Sequence, residues 1–421
     1  YLRDASSRFH PDHRWGNFWS LGAGWLMNHE SWFNASWVDM LKLKASVGSQ
    51  GNDNISNYLY VDTYSITNSE DEVGVTFKTK GNENITWETN TNFNAGVDFG
   101  LFNGRLSGTV EYFYRKTSDM LFFFTVPSSL GYDGYYANIG DMRNQGIEFS
   151  LDGEIFRTRN FTWSANINAT HYNNKITKLP EERKTTEMEG YKGYASGTYF
   201  YGEGLPLYTR KMPKYAGIDH ETGEPMWYKD VKDKDGNVVD RTTTKDYSTA
   251  TDYLCSAPTP KLYGGFGTSF SFYGVDLSVQ FTYQIGGQSY DSGYAASLEA
   301  PGSKLGSNIH KDVLNAWTPE NKDSDMPRFQ YLDKNFTATS DRFLTDASYL
   351  NFQNAQIGYT FPAKLMKKVK ISKLRLYVSA DNLFYVSARH GFDPRYSFNG
   401  TTNYATNATV RTVSGGINIT F

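Results

Sequence analysis

WETNTNFNAGVDFGLFNGRLSGTVEYFYRKTSDM, residues 87–120, decides the fold class of this chain. Phe93, Ala95, Val97 and Phe99 fall on one face of an alternating run, and Asn90, Asn92, Asn94 and Asp98 fall on the other. After Phe102-Asn103-Gly104 the alternation restarts. Leu106, Gly108, Val110, Tyr112 and Tyr114 then stand opposite Arg105, Ser107, Thr109, Glu111 and Arg115. A period of two marks a strand, and Asn-Gly between two such runs marks a hairpin. Each arm alternates for about a dozen residues, whereas strands of soluble proteins usually run about five or six. A strand that crosses a bilayer at a tilt needs about 9–11 residues, apolar outward and polar inward. In a soluble sandwich the apolar face would be the core instead. Repetition along the chain separates the two.

The same alternation predicts strands over 17–28, 40–50, 140–155, 161–173, 260–271, 274–286, 346–360, 371–385 and 410–421. The stretch 174–259 is the least regular. A short pair over 206–219 and 225–230, joined by His220–Glu224, brings the count to about 13. Residues 1–16 read as loop, and 51–86 as a long polar loop with extra strand over 73–79. Ser307 to Trp317 reads as a helix capped by Asn308. From Asn17 onward the connections alternate short and long, so every long loop leaves one end of the strands. Outer-membrane barrels have short periplasmic turns and long extracellular loops. A soluble sandwich has no reason to sort its loops this way. The expectation is an all-β fold, an antiparallel transmembrane β-barrel. The close of the chain fits it, with Ile417, Ile419 and Phe421 alternating against Asn418 and Thr420.

Bulk properties narrow the alternatives. Mean hydropathy is −0.57, and no run of about 18 apolar residues provides a helical membrane span. A lipid-facing barrel escapes that test, because only alternate residues need be apolar. The 31 Tyr, 28 Phe and 9 Trp suit aromatic girdles and sugar- or peptide-binding loops. A formal net charge of −3 argues against a nucleic-acid partner. Cys255 stands alone, so the chain has neither a disulfide framework nor a thiolate metal cluster.

Further stretches carry a family resemblance: RWGNFWSLGAGWLMNHESWF (14–33), LKLKASVGSQGN (41–52), NQGIEFSLDG (144–153) and PKLYGGFGTSFSFYGVDLSVQFTYQIGGQ (260–288). YLNFQNAQIGYTFP (349–362), LRLYVSADNLFYVSARHGFDPR (374–395) and the closing RTVSGGINITF continue it. With the opening hairpin, these resemble the C-terminal barrel of SusC/RagA-type TonB-dependent outer-membrane transporters of Bacteroidetes. The resemblance implies a plugged barrel of roughly 22 strands, of which 1–421 would be the C-terminal part, with its C-terminus periplasmic. The N-terminal plug, the TonB-contacting segment and the first strands would lie in the same polypeptide or a separate chain. An open sheet edge in lipid is not tolerated. It also implies import of a glycan or oligopeptide, energised through TonB, with a SusD-type surface lipoprotein as partner and outer-membrane lipid around the barrel. A plug-less diffusion pore or adhesin barrel, and a soluble binding protein or enzyme, are the competing classes.

Candidate sites follow from this frame. Asn92, Glu111, Arg115, Glu148, Asn166, Gln280, Arg375 and Asp381 are expected to face the lumen and the plug. Their carboxylates are spread over different strands, unlike a glycosidase pair set around one bond, and no catalytic residue is expected. Tyr132, Tyr135, Tyr136, Tyr199 and Tyr201 lie in predicted outer loops. Such rings either grip substrate or pack the loops. Asp233, Asp235 and Asp240 resemble an oxygen-rich calcium loop, but the full spacing and closing Glu are missing, and an Asp-Gly turn explains them as well. The seven His residues show no zinc spacing, so no other metal or cofactor is expected.

Overall fold

The computed structural model describes residues 1–69, 72–132, 134–138, 140–299, 306, 308–402 and 409–421. Among the described residues, twelve strands follow one another in the large sheet in sequence order. They are β1 (Leu2–Ala5), β2 (Trp15–Leu26), β3 (Val38–Asn52), β4 (Glu88–Leu101), β5 (Leu106–Ser118) and β6 (Asp141–Arg157). Then come β7 (Phe161–Lys178), β8 (Leu262–Phe272), β9 (Val275–Ile285), β10 (Tyr349–Thr360), β11 (Lys373–Ser387) and β12 (Thr412–Thr420). By internal contacts the chain divides into two units, residues 1–153, 170–185 and 202–205, and residues 154–169, 186–201 and 206–421.

In the first unit β1 to β6 pair antiparallel with their sequence neighbours. The β4–β5 hairpin is in register from Thr89 opposite Ser118 to Leu101 opposite Leu106. Its turn is left-handed at Phe102, Asn103 and Gly104 in succession, a conformation that Gly and Asn adopt cheaply and Phe does not. Phe102 is held there by stacking on Trp37 at 5.8 Å and by donating its N–H to the Trp37 carbonyl at 2.8 Å. On the strands the apolar face lies bare: Leu21 is 70% exposed and Val110 41%, with Phe93 and Ile147 also exposed. The buried apolar residues sit instead in the connections, where Phe9, Leu59 and Ile85 form a cluster against Tyr136.

In the second unit β8 to β12 pair antiparallel in the same way. Leu277, Ile357, Val378 and Ile417 are exposed on the apolar face. The core again lies off the long strands, with Ala295, Leu298, Phe336 and Phe343 in one cluster and Met212, Ile218 and Trp227 buried elsewhere in the connections. A soluble sandwich would show the reverse, so the soluble reading fails on both units.

A row of phenylalanines crosses four strands on that bare face. Phe266, Phe281, Phe352 and Phe384 are mutual register partners in β8, β9, β10 and β11. The first two ring pairs are stacked at 4.9 Å and 4.6 Å, and the third meets edge-on at 5.3 Å. Each such pair stabilises by about 0.5–1.5 kcal/mol beyond area burial. Phe281→Ala removes two of them and is expected to lower unfolding stability by about 1–3 kcal/mol, read from urea titration of the whole protein in liposomes.

Connections 27–37, 102–105, 158–160, 273–274 and 361–372 are short, and 53–87, 119–140, 179–261, 286–348 and 388–411 are long, so the predicted alternation stands. Three local expectations are corrected. The strand pair over 206–219 and 225–230 is not in the large sheet. Arg210–Pro213 belongs to a five-stranded sheet, and Tyr215–Ile218 and Pro225–Lys232 to a three-stranded one, both within the loop 179–261. Strands of four and eight residues fall short of the roughly 9–11 needed to cross a bilayer, and Met212, Ile218 and Trp227 give this loop a core of its own. Residues 1–16 are not all loop, because β1 pairs with β2 from Leu2 opposite Phe18 to Ala5 opposite Trp15. The large sheet thus has twelve strands and not 13. Of the predicted helix, Ser307 lies outside the described residues. The remainder holds a 3-10 turn, Lys311–Asn315, capped by the His310 side chain and not by Asn308. The extra strand over 73–79 is present as half of a hairpin, Thr63–Ser69 with Glu72–Thr79.

Candidate functional site in the polar face and long loops

Opposite the apolar face, the polar residues of the strands bond to one another. In the first unit Lys44 on β3 reaches Asp98 on β4 at 2.9 Å and Glu111 on β5 at 3.0 Å. Arg115 donates to Asn92 at 2.7 Å, and Thr117 to Asn90 at 2.7 Å. Glu148 stands directly across from Glu111 in the β5–β6 register. Gly146 lies under the Phe113 ring, and a Cβ there would come within 2.8 Å of it and 2.2 Å of the His171 carbonyl oxygen. In the second unit Arg375 clamps both oxygens of Asp276 and donates to Gln356 at 2.8 Å. Asn354 donates to Asp381 at 2.7 Å, and Gln280 to Asn166 at 3.4 Å. Seven of the eight expected wall residues thus hold a side-chain partner on an adjacent strand or on the next one over, and the eighth, Glu148, faces Glu111 across the β5–β6 register. Most of the charges named on this face are matched within it. Half-exposed pairs of this kind contribute little to stability, about 0–1 kcal/mol each.

The predicted loop tyrosines fall in two separate places, one in each unit. Tyr132 meets Phe77 edge-on at 5.6 Å. Tyr135 and Tyr136 lie in the strand Gly134–Asn138 and pack on Phe124 and Phe123 at 5.1 Å and 5.2 Å. In the second unit Tyr201 is buried and stacks on Tyr194 at 5.2 Å, while Tyr199 and Tyr201 both contact Tyr208 edge-on. Tyr208 in turn meets Phe398, which is 84% exposed. All five predicted tyrosines have ring partners, so packing is a large part of their work.

Sequence reading missed Arg210, the group that ties the second cluster together. Only 2% exposed, it donates to the Gly400 carbonyl at 2.6 Å, to Thr198 Oγ1 at 3.1 Å, to Tyr199 Oη at 3.2 Å and to Thr401 Oγ1. Its guanidinium also lies over the rings of Tyr199 and Tyr290. Gly400 is 190 residues away in the chain, a juxtaposition that local pattern does not encode.

A family model described as TonB dependent receptor-like, beta-barrel, matches residues 2–383. The chain belongs to the TonB-dependent receptor β-barrel family. TonB-dependent receptor P3 of Formosa agariphila is 28% identical over all of this chain and 43% of its own length. TonB-dependent receptor SusC of Bacteroides thetaiotaomicron is 27% identical over 93% of this chain and 39% of its own. Among solved structures, one of the RagAB peptide transporter superposes with a TM-score of 0.85 at 31% identity, covering 99% of this chain and 44% of that one. This receptor barrel chain therefore spans less than half the length of those relatives. Receptors of this family sit in the outer membrane and are transport proteins, not enzymes. The bare apolar face of the receptor strands is the one that meets lipid.

Two polar turns lie in the loops of this receptor barrel. Asp233 accepts the backbone N–H groups of Asp235 at 2.9 Å and Asn237 at 2.8 Å, and the Asn237 side-chain amide at 3.2 Å. Those bonds, the Asn237 N–H foremost, hold its carboxyl below the usual range. Asp240 accepts the Arg241 N–H at 2.8 Å. The stretch is an Asp-Gly hairpin turn between Pro225–Lys232 and Val238–Thr244, with Gly236 left-handed. Among the described residues no group of three His, Cys, Asp or Glu is placed to hold a metal ion.

The second turn, 219–224, is an ionic knot. Lys245 bonds Asp219 and, at 2.9 Å, Glu224. Lys245 and the Glu221 N–H draw Asp219 down to about 2, and Lys245 and Thr222 lower Glu224. A carboxyl lowered in the folded state stabilises above its ordinary range and loses that contribution as pH falls through the folded value. Amide protection of Thr222 and Gly223, both bonded to the Asp219 carbonyl, is therefore expected to hold from about pH 8 to about pH 5. It should fall between about pH 4 and about pH 2, measured by hydrogen exchange corrected for intrinsic rates.

Proposed function

We propose that this chain is the C-terminal portion of the barrel of an energised outer-membrane importer for a glycan or an oligopeptide. One observation carries the reading: the likeness to the RagAB peptide transporter runs over 99% of the chain. The likeness to SusC over 93% of it supports the same reading. Two open sheet edges, β1 and β12, would leave unpaired backbone in hydrocarbon, so further strands must pair with both. Those strands complete a larger barrel. The polar face then lines its lumen, where Asn92, Glu111, Arg115, Glu148, Asn166, Gln280, Arg375 and Asp381 contact a plug. Because nearly all of them are already matched within the wall, the plug is held by many weak, exchangeable polar contacts and slides without stranding a buried charge. The C-terminus is periplasmic, the long loops face outward, and they carry substrate and a SusD-type lipoprotein lid. TonB acts through the plug and supplies the work.

Uptake of labelled substrate by cells carrying the whole protein tests this. Dissipating the proton-motive force, or deleting TonB, is expected to abolish uptake. Uptake that persists would mark a passive pore and end the importer reading.

A further inference from the structure

Between β10 and β11, in the second unit, one short connection carries four lysines, Lys364, Lys367, Lys368 and Lys370. Its helix runs Ala363–Lys368, with Met366 buried beneath it. The connection is tied down at both ends. Phe361 donates its N–H to the Leu374 carbonyl at 2.9 Å, and Ser372 donates its own to the Thr420 carbonyl at 2.7 Å. Lys370 closes the helix in the left-handed region, at φ of +57°, with the Ile371 N–H on the Met366 carbonyl at 3.1 Å. Leu365 and Val369, one turn apart, are both more than half exposed. By helical period Lys364, Lys367 and Lys368 share the other side.

Local structure accounts for two of these lysines and not for the other two. Lys367 and Lys368 lie in the last turn, where the helix dipole favours a cation. Lys364 lies in the first turn, where the dipole disfavours one, and no acidic residue is there to offset it. Lys370 occupies the left-handed closing position that glycine fills at least cost. Among the described residues no carboxylate bonds any of the four, and 361–375 contains neither Asp nor Glu. By contrast Arg375, Lys245 and Arg395 in the same unit each hold a carboxylate. Two lysines are thus placed against local preference, in a group of four that nothing neutralises among the described residues.

Position decides which anion they meet. The apolar face of the strands runs directly into this connection. Tyr359 is the register partner of Leu376, and Leu374 that of Ile419, with Tyr359, Leu376 and Ile419 exposed on that face. The face ends here in an aromatic pair, Tyr359 and Phe361, edge-on at 5.0 Å. Such rings mark the boundary between hydrocarbon and water in membrane barrels. The helix begins just past Phe361, at Ala363, which sets it at the depth of the headgroups. Leu365 and Val369 prolong the apolar surface, and the lysines stand where lipid phosphates lie. A helix with one apolar and one basic side suits an anionic membrane surface. A soluble acidic protein would meet the lysines but not Leu365 and Val369 at the edge of the hydrocarbon.

We propose that the connection 362–370 binds the headgroup of an anionic phospholipid in the leaflet that the short connections face. That this leaflet is the periplasmic one rests on the importer reading, whereas the lipid site itself needs only the membrane barrel. The test is native mass spectrometry of the whole purified transporter in detergent. It is titrated with phosphatidylglycerol, with phosphatidylethanolamine of the same chains, and with lipid A, the phosphorylated anchor of the outer leaflet. Phosphatidylglycerol is expected to bind at least about tenfold more tightly than phosphatidylethanolamine, which corresponds to about 1.4 kcal/mol. Lys364→Gln, Lys367→Gln, Lys368→Gln and Lys370→Gln combined should cut that preference to under about twofold. Lys311→Gln with Lys334→Gln, in the long connection 286–348, should leave it intact. Leu365→Ser with Val369→Ser should weaken both phospholipids about tenfold and keep the preference. Heat-modifiable mobility checks that each variant folds. A preference that survives the fourfold variant overturns the proposal. So does displacement of phosphatidylglycerol by millimolar inorganic phosphate, or tighter binding of lipid A than of phosphatidylglycerol at these lysines. Loss of a co-purified acidic protein, with lipid binding unchanged, would give the lysines to that protein instead. Energised uptake alongside an unaltered preference in the fourfold variant would sink the lipid site and spare the importer. A preference lost in that variant, with uptake indifferent to TonB, would do the opposite.

Discussion

Val110→Arg is expected to cost about 2–4 kcal/mol of folding free energy in a bilayer and to reduce the outer-membrane level of the receptor sharply. Val110 lies on the bare apolar face of β5, opposite Val97 on β4 and Phe149 on β6. A guanidinium there must desolvate in hydrocarbon or snorkel along the strand. Asn94→Arg, on the polar face of β4, meets water and is expected to cost under about 1 kcal/mol. Heat-modifiable mobility on gels gives the folded fraction in membranes, and urea titration in liposomes gives the free-energy difference. Equal tolerance of both substitutions would contradict a lipid-facing assignment for β5.

The second large effect is expected at Arg210. Arg210→Met keeps the volume of the stem but strands the Gly400 carbonyl, Thr198 and Thr401 in a site closed to water. Leaving buried acceptors without their donor costs about 1–3 kcal/mol each. The loss should be local, opening 198–210 and 399–402 to hydrogen exchange while β8 to β11 stay protected. Arg210→Lys should not rescue it, because one ammonium cannot serve four acceptors spread around a planar fork. Exchange unchanged in both segments would show that the tyrosine cluster holds without its cation.

The large sheet was legible because lipid imposes one rule on it. Alternation over more than about 9 residues is visible one residue at a time, and it placed eleven of the twelve strands to within a few residues. Only β1 was lost, since four residues, Leu2–Ala5, are too few to show a period. The loop 179–261 misled for the opposite reason. Its strands are short, and Met212, Ile218 and Trp227 are buried within the loop by partners far apart in sequence, which mimics alternation without obeying it. Wall residues such as Arg115 and Arg375 were readable as polar-face positions; Asn92 sits in register with Arg115 on the neighbouring strand, and Asp276 lies two strands over from Arg375. The loop sites were not. Arg210 with Gly400, and Glu224 with Arg328, meet across more than a hundred residues and carry no local signature.

The most direct measurement is the accessibility of nitroxide labels introduced singly at Val97, Val110, Phe149 and Leu277, and at Asn92 and Gln280, in a Cys255→Ser background of the whole protein in liposomes. If the apolar face meets lipid, the first four collide more with dissolved oxygen than with a polar nickel chelate, and the last two do not. Labels at Val97, Val110, Phe149 and Leu277 that are shielded from oxygen, or that favour the nickel chelate, would contradict it.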